Sequence, residues 1–309
     1  MLKPRALRPG DRLAVVAPAS PFRRDDFDAG VAELRRLGFD PVHDPAVFAR
    51  EWYVAGPASL RAAAFRRAWT DPSIAGLVAV RGGYGSVQLL PLLDINEIRR
   101  TPKVFLGYSD NTSLLSWLTT GCGIVSFHGP MLERRLARGE AGYDRDTLLR
   151  CVARPQPPGE ITHDALDVLR PGDAAGTLVG GTLTQLTASL GTPYAFDPPE
   201  GCVLFVDEVG ERPYRLDRML TQLRLAGLLA RAAAVVFGEL PRCDEPAAGG
   251  PSARAVVASL LADFPGPVLF GLPSGHTNGA CLTLPFGVTT RVVTAPRPAL
   301  IVEEAAVRE

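Results

Sequence analysis

Short apolar runs alternate with amphipathic segments through the first half of this 309-residue chain. Each apolar run has the length of one buried strand, and the segments between the runs are long enough for helices. The predicted elements are strands at 13–17, 74–80 and 104–108 and helices at 25–37, 58–69 and after Asp110. This alternation predicts a parallel sheet covered on both faces, which is a doubly wound α/β domain.

The pattern changes near residue 154, where the sequence RPQPPGE favours neither a helix nor a strand ladder. Later elements are predicted as strands at 202–206, 233–238, 288–293 and 299–302, a helix at about 213–226 and a surface loop at 241–251. We therefore predict an N-terminal α/β domain over 1–153, a linker over 154–165 and a smaller, β-rich C-terminal domain over 166–309.

Composition narrows the classes of function. The 33 basic and 33 acidic residues balance, so no net charge attracts nucleic acid or an anionic membrane. Apolar runs are too short for a bilayer span or a secretory signal. The five cysteines are far apart and form no CxxC pair, which is typical of reduced thiols rather than a metal site. We expect a cytoplasmic protein with no metal and no nucleic-acid or membrane partner.

A serine stands directly after the third predicted strand, in the sequence GYSDN at 107–111. A tight strand-to-helix turn would expose the Ser109 hydroxyl beside a helix N-terminus, as a nucleophile requires. An ordinary helix cap is the alternative, because serine and aspartate also cap helices. The G-x-S-x-G pattern is incomplete, since Asn111 replaces its second glycine.

The sequence RGGYG at 81–85 follows another predicted strand. Its glycines would let the backbone approach a ligand and expose N–H groups to a phosphate or an oxyanion. A plain turn explains the same residues, and neither a Walker loop nor a complete dinucleotide motif is present.

A histidine between glycines, His276 in SGHTNG, is a candidate for proton transfer, although it could equally be a solvated loop residue. A serine nucleophile needs such a base, and the base needs an acid to orient it. Asp207 and Glu208 end the predicted strand at 202–206, where they are either that acid or surface charges. His128 could line the site, but a structural role is favoured.

Taken together, these segments resemble the LD-carboxypeptidase family of serine peptidases, which includes muramoyl-tetrapeptide carboxypeptidases and microcin C self-immunity peptidases. The matching segments are LRPGDRLAVVAPAS near the start, RGGYG at 81–85, GYSD at 107–110, FHGPM at 127–131, GGTLTQLTASLGTPY at 180–194, GERPYRLDRMLTQL at 210–223 and GLPSGHTNG at 271–279. They are spread over nearly the whole chain, and the longer ones are too unusual for chance agreement.

The resemblance implies two domains, with the nucleophile in the first and the acid and histidine in the second. Ser109 matches the family nucleophile and His276 its histidine. Gly82, Gly83 and the backbone N–H of Asp110 fall where donors to an oxyanion are needed.

The acid departs from the family pattern. The family usually has Leu-Glu-Asp before the Gly-Glu-x-Pro-Tyr segment, and this chain has Val206-Asp207-Glu208. Counting back from Glu211 places Asp207 in the position of the family glutamate. Glu208 is the alternative if the strand end is shifted by one residue.

The activity that the resemblance implies is hydrolysis, without a cofactor, of the bond between a diamino acid and the terminal D-Ala of a muropeptide tetrapeptide in cell-wall recycling. A microcin-type peptidase acting on peptidyl- or aminoacyl-nucleotides is the alternative within the family. A non-catalytic nucleotide- or phosphate-binding α/β protein is the alternative from another class. Family members are often dimers, so a homodimer stays open.

Overall fold

The computed structural model describes residues 1–245 and 249–309. Of the loop predicted at 241–251, residues 246–248 lie outside the described residues. Within the described part, the strands form one six-stranded sheet and one eight-stranded sheet.

Strands and helices are numbered along the chain. The strands are β1 (Arg12–Val16), β2 (Asp40–Val42), β3 (Ile74–Ala79), β4 (Val104–Gly107), β5 (Ser126–His128), β6 (Gly159–Ile161), β7 (Asp167–Arg170), β8 (Asp173–Thr182), β9 (Cys202–Asp207), β10 (Ala232–Gly238), β11 (Val268–Leu272), β12 (Leu284–Phe286), β13 (Thr289–Val293) and β14 (Ala299–Val302). The α-helices are α1 (Arg24–Arg36), α2 (Ala58–Thr70), α3 (Ile95–Arg100), α4 (Thr112–Ser116), α5 (Arg145–Ala153), α6 (Leu183–Ala188), α7 (Pro213–Leu225) and α8 (Ala253–Leu260). Short 3₁₀ segments lie at Pro45–Phe48, Ser86–Leu92, Ser109–Asn111, Leu136–Ala141 and Leu229–Arg231, and a π-helical turn at Trp117–Gly121.

The six-stranded sheet has the order β2-β1-β3-β4-β5-β12. Its first five strands are parallel, and β12 pairs antiparallel with β5. The crossover from β1 to β2 runs in the opposite direction to those from β2 to β3 and onward, and right-handed crossovers of opposite direction place their helices on opposite faces of the sheet. The predicted doubly wound α/β fold is therefore confirmed. The strand order reverses between β1 and β3, and such a reversal opens a crevice at the carboxyl ends of the strands.

The eight-stranded sheet has the order β6-β14-β13-β8-β9-β10-β11-β7. Its central strands β8 to β11 run parallel, and antiparallel strands extend it on both sides. The C-terminal half of the chain is rich in strands, as predicted, but its sheet also packs against helices. One of these, α8, was not predicted, and Ser252 caps it by accepting a hydrogen bond from the N–H of Ala255 at 3.1 Å.

Strand β9 lies between two hydrophobic cores. Val203 and Phe205 belong to a central core that also contains the strands of the six-stranded sheet. Leu204 and Val206 belong to an outer core beneath α6, α7 and α8. Because successive strand side chains point to opposite faces, β9 joins the two cores. The two sheets therefore share the central core as one packed body.

The segment predicted as a linker, 154–165, contains strand β6, which pairs with β14 at the edge of the eight-stranded sheet. The prolines of this segment precede the strand, so they remove no ladder donor from it. Strand β12 crosses in the other direction, from the C-terminal half into the six-stranded sheet. The proposed domain bounds of 1–153 and 166–309 stay a prediction.

Helix positions followed closely from the apolar spacing. The helix predicted at 25–37 differs from α1 by one residue at both ends, and those predicted at 58–69 and 213–226 differ from α2 and α7 by one residue at the C-terminal end. Among the described residues, no helix is both long enough and apolar enough to cross a bilayer.

We expect the replacement Leu204→Ala to lower the free energy of unfolding by about 2–5 kcal/mol, because it empties a site in the outer core. The same replacement at Leu225, which is 83% exposed, should change stability by less than ~0.5 kcal/mol. Urea unfolding followed by circular dichroism measures both changes. Equal effects would contradict the assignment of Leu204 to the outer core.

Candidate active site

Ser109 lies at the carboxyl edge of the six-stranded sheet, in the turn that follows β4. Tyr108 is extended, Ser109 has a φ of 62°, and a 3₁₀ turn then leads into α4. A positive φ is uncommon for a residue other than glycine and costs backbone energy. The strained turn exposes the hydroxyl, whose hydrogen-bond partner is the Nε2 atom of His276 at 3.1 Å. Neither the 3₁₀ turn nor α4 has a side-chain capping hydrogen bond at its start, so Ser109 does not act as a helix cap here.

His276 is held from both sides of its ring. Its Nδ1 atom lies 2.7 Å from Oδ2 of Asp207, and its Nε2 atom faces Ser109. The backbone N–H of His276 also donates to both oxygens of Asp207 at 3.2 Å. A hydrogen on Nδ1 that is donated to the carboxylate leaves Nε2 as the acceptor. The imidazole can therefore accept the proton of the serine hydroxyl.

The two adjacent acids at the end of β9 point to opposite faces. Asp207 is fully buried and lies on the face of Val203 and Phe205, toward the six-stranded sheet. Glu208 turns away, and its carboxylate accepts hydrogen bonds from the backbone N–H and hydroxyl of Thr184 at 2.9 and 2.7 Å. Burial raises the pKa of the Glu208 carboxyl. The structure therefore brings Asp207, and not Glu208, to His276.

The first two glycines of RGGYG make close approaches that side chains would prevent. A Cβ atom on Gly82 would lie 2.7 Å from Cβ of Ser109 and 3.2 Å from the backbone nitrogen of Asp110. Gly83 has a φ of 99°, and a Cβ atom there would collide with the hydroxyl of Ser20. Backbone groups of this loop thus border the space above the serine, where an oxyanion would form.

The side chain of Asp110 points away from this space. Its Oδ2 atom accepts a hydrogen bond from the backbone N–H of Ser86 at 2.8 Å, and the residue is 2% exposed. Burial raises the pKa of this carboxyl. Asp110 therefore ties the serine turn to the start of the segment that follows RGGYG, and only its backbone borders the candidate oxyanion site.

His128 lies behind the site, fully buried. Its Nδ1 atom is 3.1 Å from the hydroxyl of Ser274, and burial lowers the pKa of its imidazole to about 4. A neutral, buried ring in this position supports the loop that carries His276. The geometry agrees with the structural role that the sequence favoured.

Two residues at the site were missed by sequence reasoning. Arg135 is buried, and its guanidinium donates to the carbonyls of Gly275, Thr277 and Gly279 at 2.8–3.0 Å. Its Nε atom also donates to the hydroxyl of Tyr108 at 3.3 Å. Nothing in the sequence distinguishes this arginine from the exposed arginines beside it.

The ring of Tyr108 packs edge-to-face against the imidazole of His276, with centroids 5.1 Å apart. Burial raises the pKa of the Tyr108 hydroxyl to about 12, so it remains protonated at neutral pH. Arg135 and Tyr108 together fix the loop of His276 against the turn of Ser109. In the residues that the structure describes, no group of three or more histidine, cysteine, aspartate or glutamate side chains could hold a metal ion.

Known proteins resemble this chain along nearly its whole length. A protein of Bacillus subtilis named "Probable murein peptide carboxypeptidase" is 33% identical over 99% of this chain and 96% of its own length. The crystal structure of a muramoyltetrapeptide carboxypeptidase from Oxalobacter formigenes matches this fold with a TM-score of 0.82, over 95% of this chain and 99% of that one. The two sequences are 29% identical.

A solved structure of the microcin C7 self-immunity protein MccF has a TM-score of 0.89 at 24% identity, over 98% of this chain and 99% of that one, which shows a shared fold. The family models for the LD-carboxypeptidase N-terminal and C-terminal domains match residues 13–129 and 175–292. These two matches cover most of the chain and leave out only its ends and the segment between them. The chain belongs to the LD-carboxypeptidase family.

Proposed function

We propose that this protein is a serine carboxypeptidase that removes the terminal D-Ala of a muropeptide tetrapeptide by cutting its bond to the preceding diamino acid. The observation that carries the proposal is the continuous hydrogen-bonded series from Ser109 through His276 to Asp207, at 3.1 and 2.7 Å. The relatives named for murein peptides supply the class of substrate.

The reaction is acyl transfer to water. Nε2 of His276 takes the proton of the Ser109 hydroxyl while the serine oxygen attacks the scissile carbonyl, and Asp207 holds the ring and stabilises its charge. Backbone N–H groups of the Gly82–Gly83 segment and of Asp110 donate to the oxyanion, which is worth about 3–4 kcal/mol per donor in such enzymes. His276 then protonates the leaving amine of D-Ala. Water, deprotonated by the same imidazole, releases the acyl group from the serine.

Two alternatives are less well supported. The microcin-type reaction has weaker sequence support, since MccF is 27% identical over 88% of this chain, against 33% over 99% for the murein peptide carboxypeptidase. A non-catalytic binding protein would have no need of a strained serine hydrogen-bonded to a histidine and a buried aspartate. The steps above require neither a metal nor an organic cofactor. A cytoplasmic location and a homodimer stay predictions, and the five buried, unpaired thiols are what a reducing compartment favours.

We expect the wild-type protein to release D-Ala from a muramoyl tetrapeptide and Ser109→Ala to lower the rate at least about 10³-fold, because the nucleophile is lost. Mass spectrometry of the released D-Ala measures both rates. Ser259→Ala, a matched change on the exposed side of α8, should keep the wild-type rate. Equal release by both proteins would refute Ser109 as nucleophile, and release by neither would refute a wall substrate.

The two adjacent acids offer a matched pair of isosteric variants. Asp207→Asn should lower kcat by about 10⁴-fold, because the amide no longer holds the imidazole in the tautomer that accepts the serine proton. Glu208→Gln should change kcat less than about tenfold, since Glu208 contacts Thr184 and not His276. Steady-state kinetics on the same tetrapeptide measures both. The reverse order of effects would assign the role to Glu208.

Arg135 is expected to act as a positioning residue. Arg135→Lys keeps the charge but loses the planar fork that reaches three carbonyls, so the loop of His276 should shift. We expect kcat to fall up to about 10²-fold, as for a displacement of about 1 Å, with a smaller change in KM. Arg138→Lys, an exposed neighbour, is the matched control. A rise in KM at unchanged kcat would instead indicate substrate binding.

A further inference from the structure

Three exposed aromatic side chains form a continuous row on the surface. Trp52, Tyr53 and Tyr84 are 86%, 58% and 46% exposed, and we call them the aromatic platform. Ring centroids are 6.4 Å apart between Trp52 and Tyr53 and 5.7 Å apart between Tyr53 and Tyr84. Contiguous exposed apolar rings mark binding surfaces more often than single ones do. None of the three has a part in the chemical steps above.

Two members of the platform stand at the tip of a tight hairpin. The backbone groups of Glu51 and Val54 exchange hydrogen bonds at 3.0 and 2.9 Å, with Trp52 and Tyr53 between them. Trp52 has a φ of 50°, a left-handed conformation that is rare and costly for a bulky residue. The chain thus presents an exposed tryptophan in a conformation that glycine or asparagine would adopt more readily.

The platform is fixed to the crevice at the strand-order reversal. Ser20, which follows β1, donates its hydroxyl to the carbonyl of Tyr53 at 2.7 Å. The same hydroxyl accepts from the backbone N–H of Tyr84, which follows β3, at 3.1 Å. In open α/β sheets, ligands bind outside the carboxyl ends of the strands at such a reversal. The platform therefore borders the position where this fold accommodates ligands.

The platform also continues from the candidate active site. Tyr84 lies two residues after Gly82, which makes the close approach to Ser109. From Tyr84 the rings lead outward through Tyr53 to Trp52. A substrate held at Ser109 can therefore extend along this row.

The proposed reaction indicates what the row would hold. The leaving group is one amino acid, so the other three residues and the muramoyl sugar stay on the acyl side of the scissile bond. Three extended residues reach about 10 Å, so the sugar lies well outside the position of the scissile bond. A pyranose ring has an apolar C–H face and a hydroxyl edge, and exposed tyrosine and tryptophan rings combine an apolar face with a polar group in the same way.

We propose that the aromatic platform is a subsite for the saccharide ring of the muropeptide, an inference that rests on the proposed function. Trp52 and Tyr53 bind the sugar by stacking, and Tyr84 lies between the sugar and the peptide. The subsite adds affinity for glycosylated substrates and leaves the chemical steps at Ser109 unchanged.

The test compares a muramoyl tetrapeptide with the same tetrapeptide without its sugar. The double variant Trp52→Asn, Tyr53→Ser removes both rings, and asparagine tolerates the left-handed turn. We expect kcat/KM for the muramoyl substrate to fall about tenfold through KM, equivalent to ~1.4 kcal/mol. For the sugar-free substrate, kcat/KM should stay within about twofold. Leu225→Ser, at a comparably exposed position on α7, should leave both values unchanged.

Other outcomes would overturn the subsite. An equal loss on both substrates, or no loss on either, would show that the rings do not contact the sugar. Conversion of a dimer to a monomer by the double variant, seen by light scattering, would assign the rings to an interface between copies of this chain.

Turnover of the sugar-free tetrapeptide by the wild type tests the proposed function separately. If the wild type cleaves neither substrate, the proposed function fails. The subsite is then tested by the binding of the two tetrapeptides to the Ser109→Ala variant. Tryptophan fluorescence should then change with the muramoyl tetrapeptide but not with the sugar-free one. The fluorescence change should disappear when Trp52→Asn is combined with Ser109→Ala. If Ser109→Ala alone shows no fluorescence change with the muramoyl tetrapeptide, the subsite is overturned.

Discussion

The packing of β9 between two cores is the constraint on which the rest of the site depends. Its odd-numbered residues, Val203 and Phe205, fill the central core shared with the six-stranded sheet, and Leu204 and Val206 fill the outer core. A shift of β9 by one residue would exchange the side chains on its two faces, so that each core would receive side chains that do not fit it. The register is therefore strongly fixed, and with it the direction in which Asp207, the next odd-numbered residue, enters the interior.

The proposed triad takes Ser109 from the edge of the six-stranded sheet and Asp207 and His276 from the eight-stranded sheet. Its geometry therefore depends on how firmly the turn of Ser109 and the loop of His276 are held together. Arg135 and Tyr108 provide that connection without belonging to the series. The Arg135 guanidinium donates to loop carbonyls. Its charge also interacts with the buried carboxylate of Asp207, and the low dielectric of the interior makes such an interaction stronger than in water. The strain at Ser109 is sustained by the same packing, because a turn with φ of 62° persists only where the surroundings hold it.

Three buried acids lie close to the serine turn and the histidine loop, and their hydrogen-bond partners separate their roles. Asp110 accepts from the backbone of Ser86 and Glu208 from Thr184, so each ties one segment to another. Asp207 alone of the three contacts an imidazole. Burial raises the pKa of both Asp110 and Glu208, and the hydrogen bonds that they accept offset part of that cost. The neutral His128 completes the support behind the loop.

The sequence by itself determined the α/β class, the positions of α1, α2 and α7, and the candidate serine and histidine, because apolar spacing and turn residues are local signals. The family followed from the resemblance of several motifs along the chain. It left Asp207 and Glu208 as alternatives, since adjacent strand residues differ only in the face to which they point. It gave no sign of Arg135 or of the aromatic platform, whose members come from separate loops. Those features were decided by tertiary structure alone, because only the packing of β9 and the meeting of loops at the sheet edge determine which distant side chains touch.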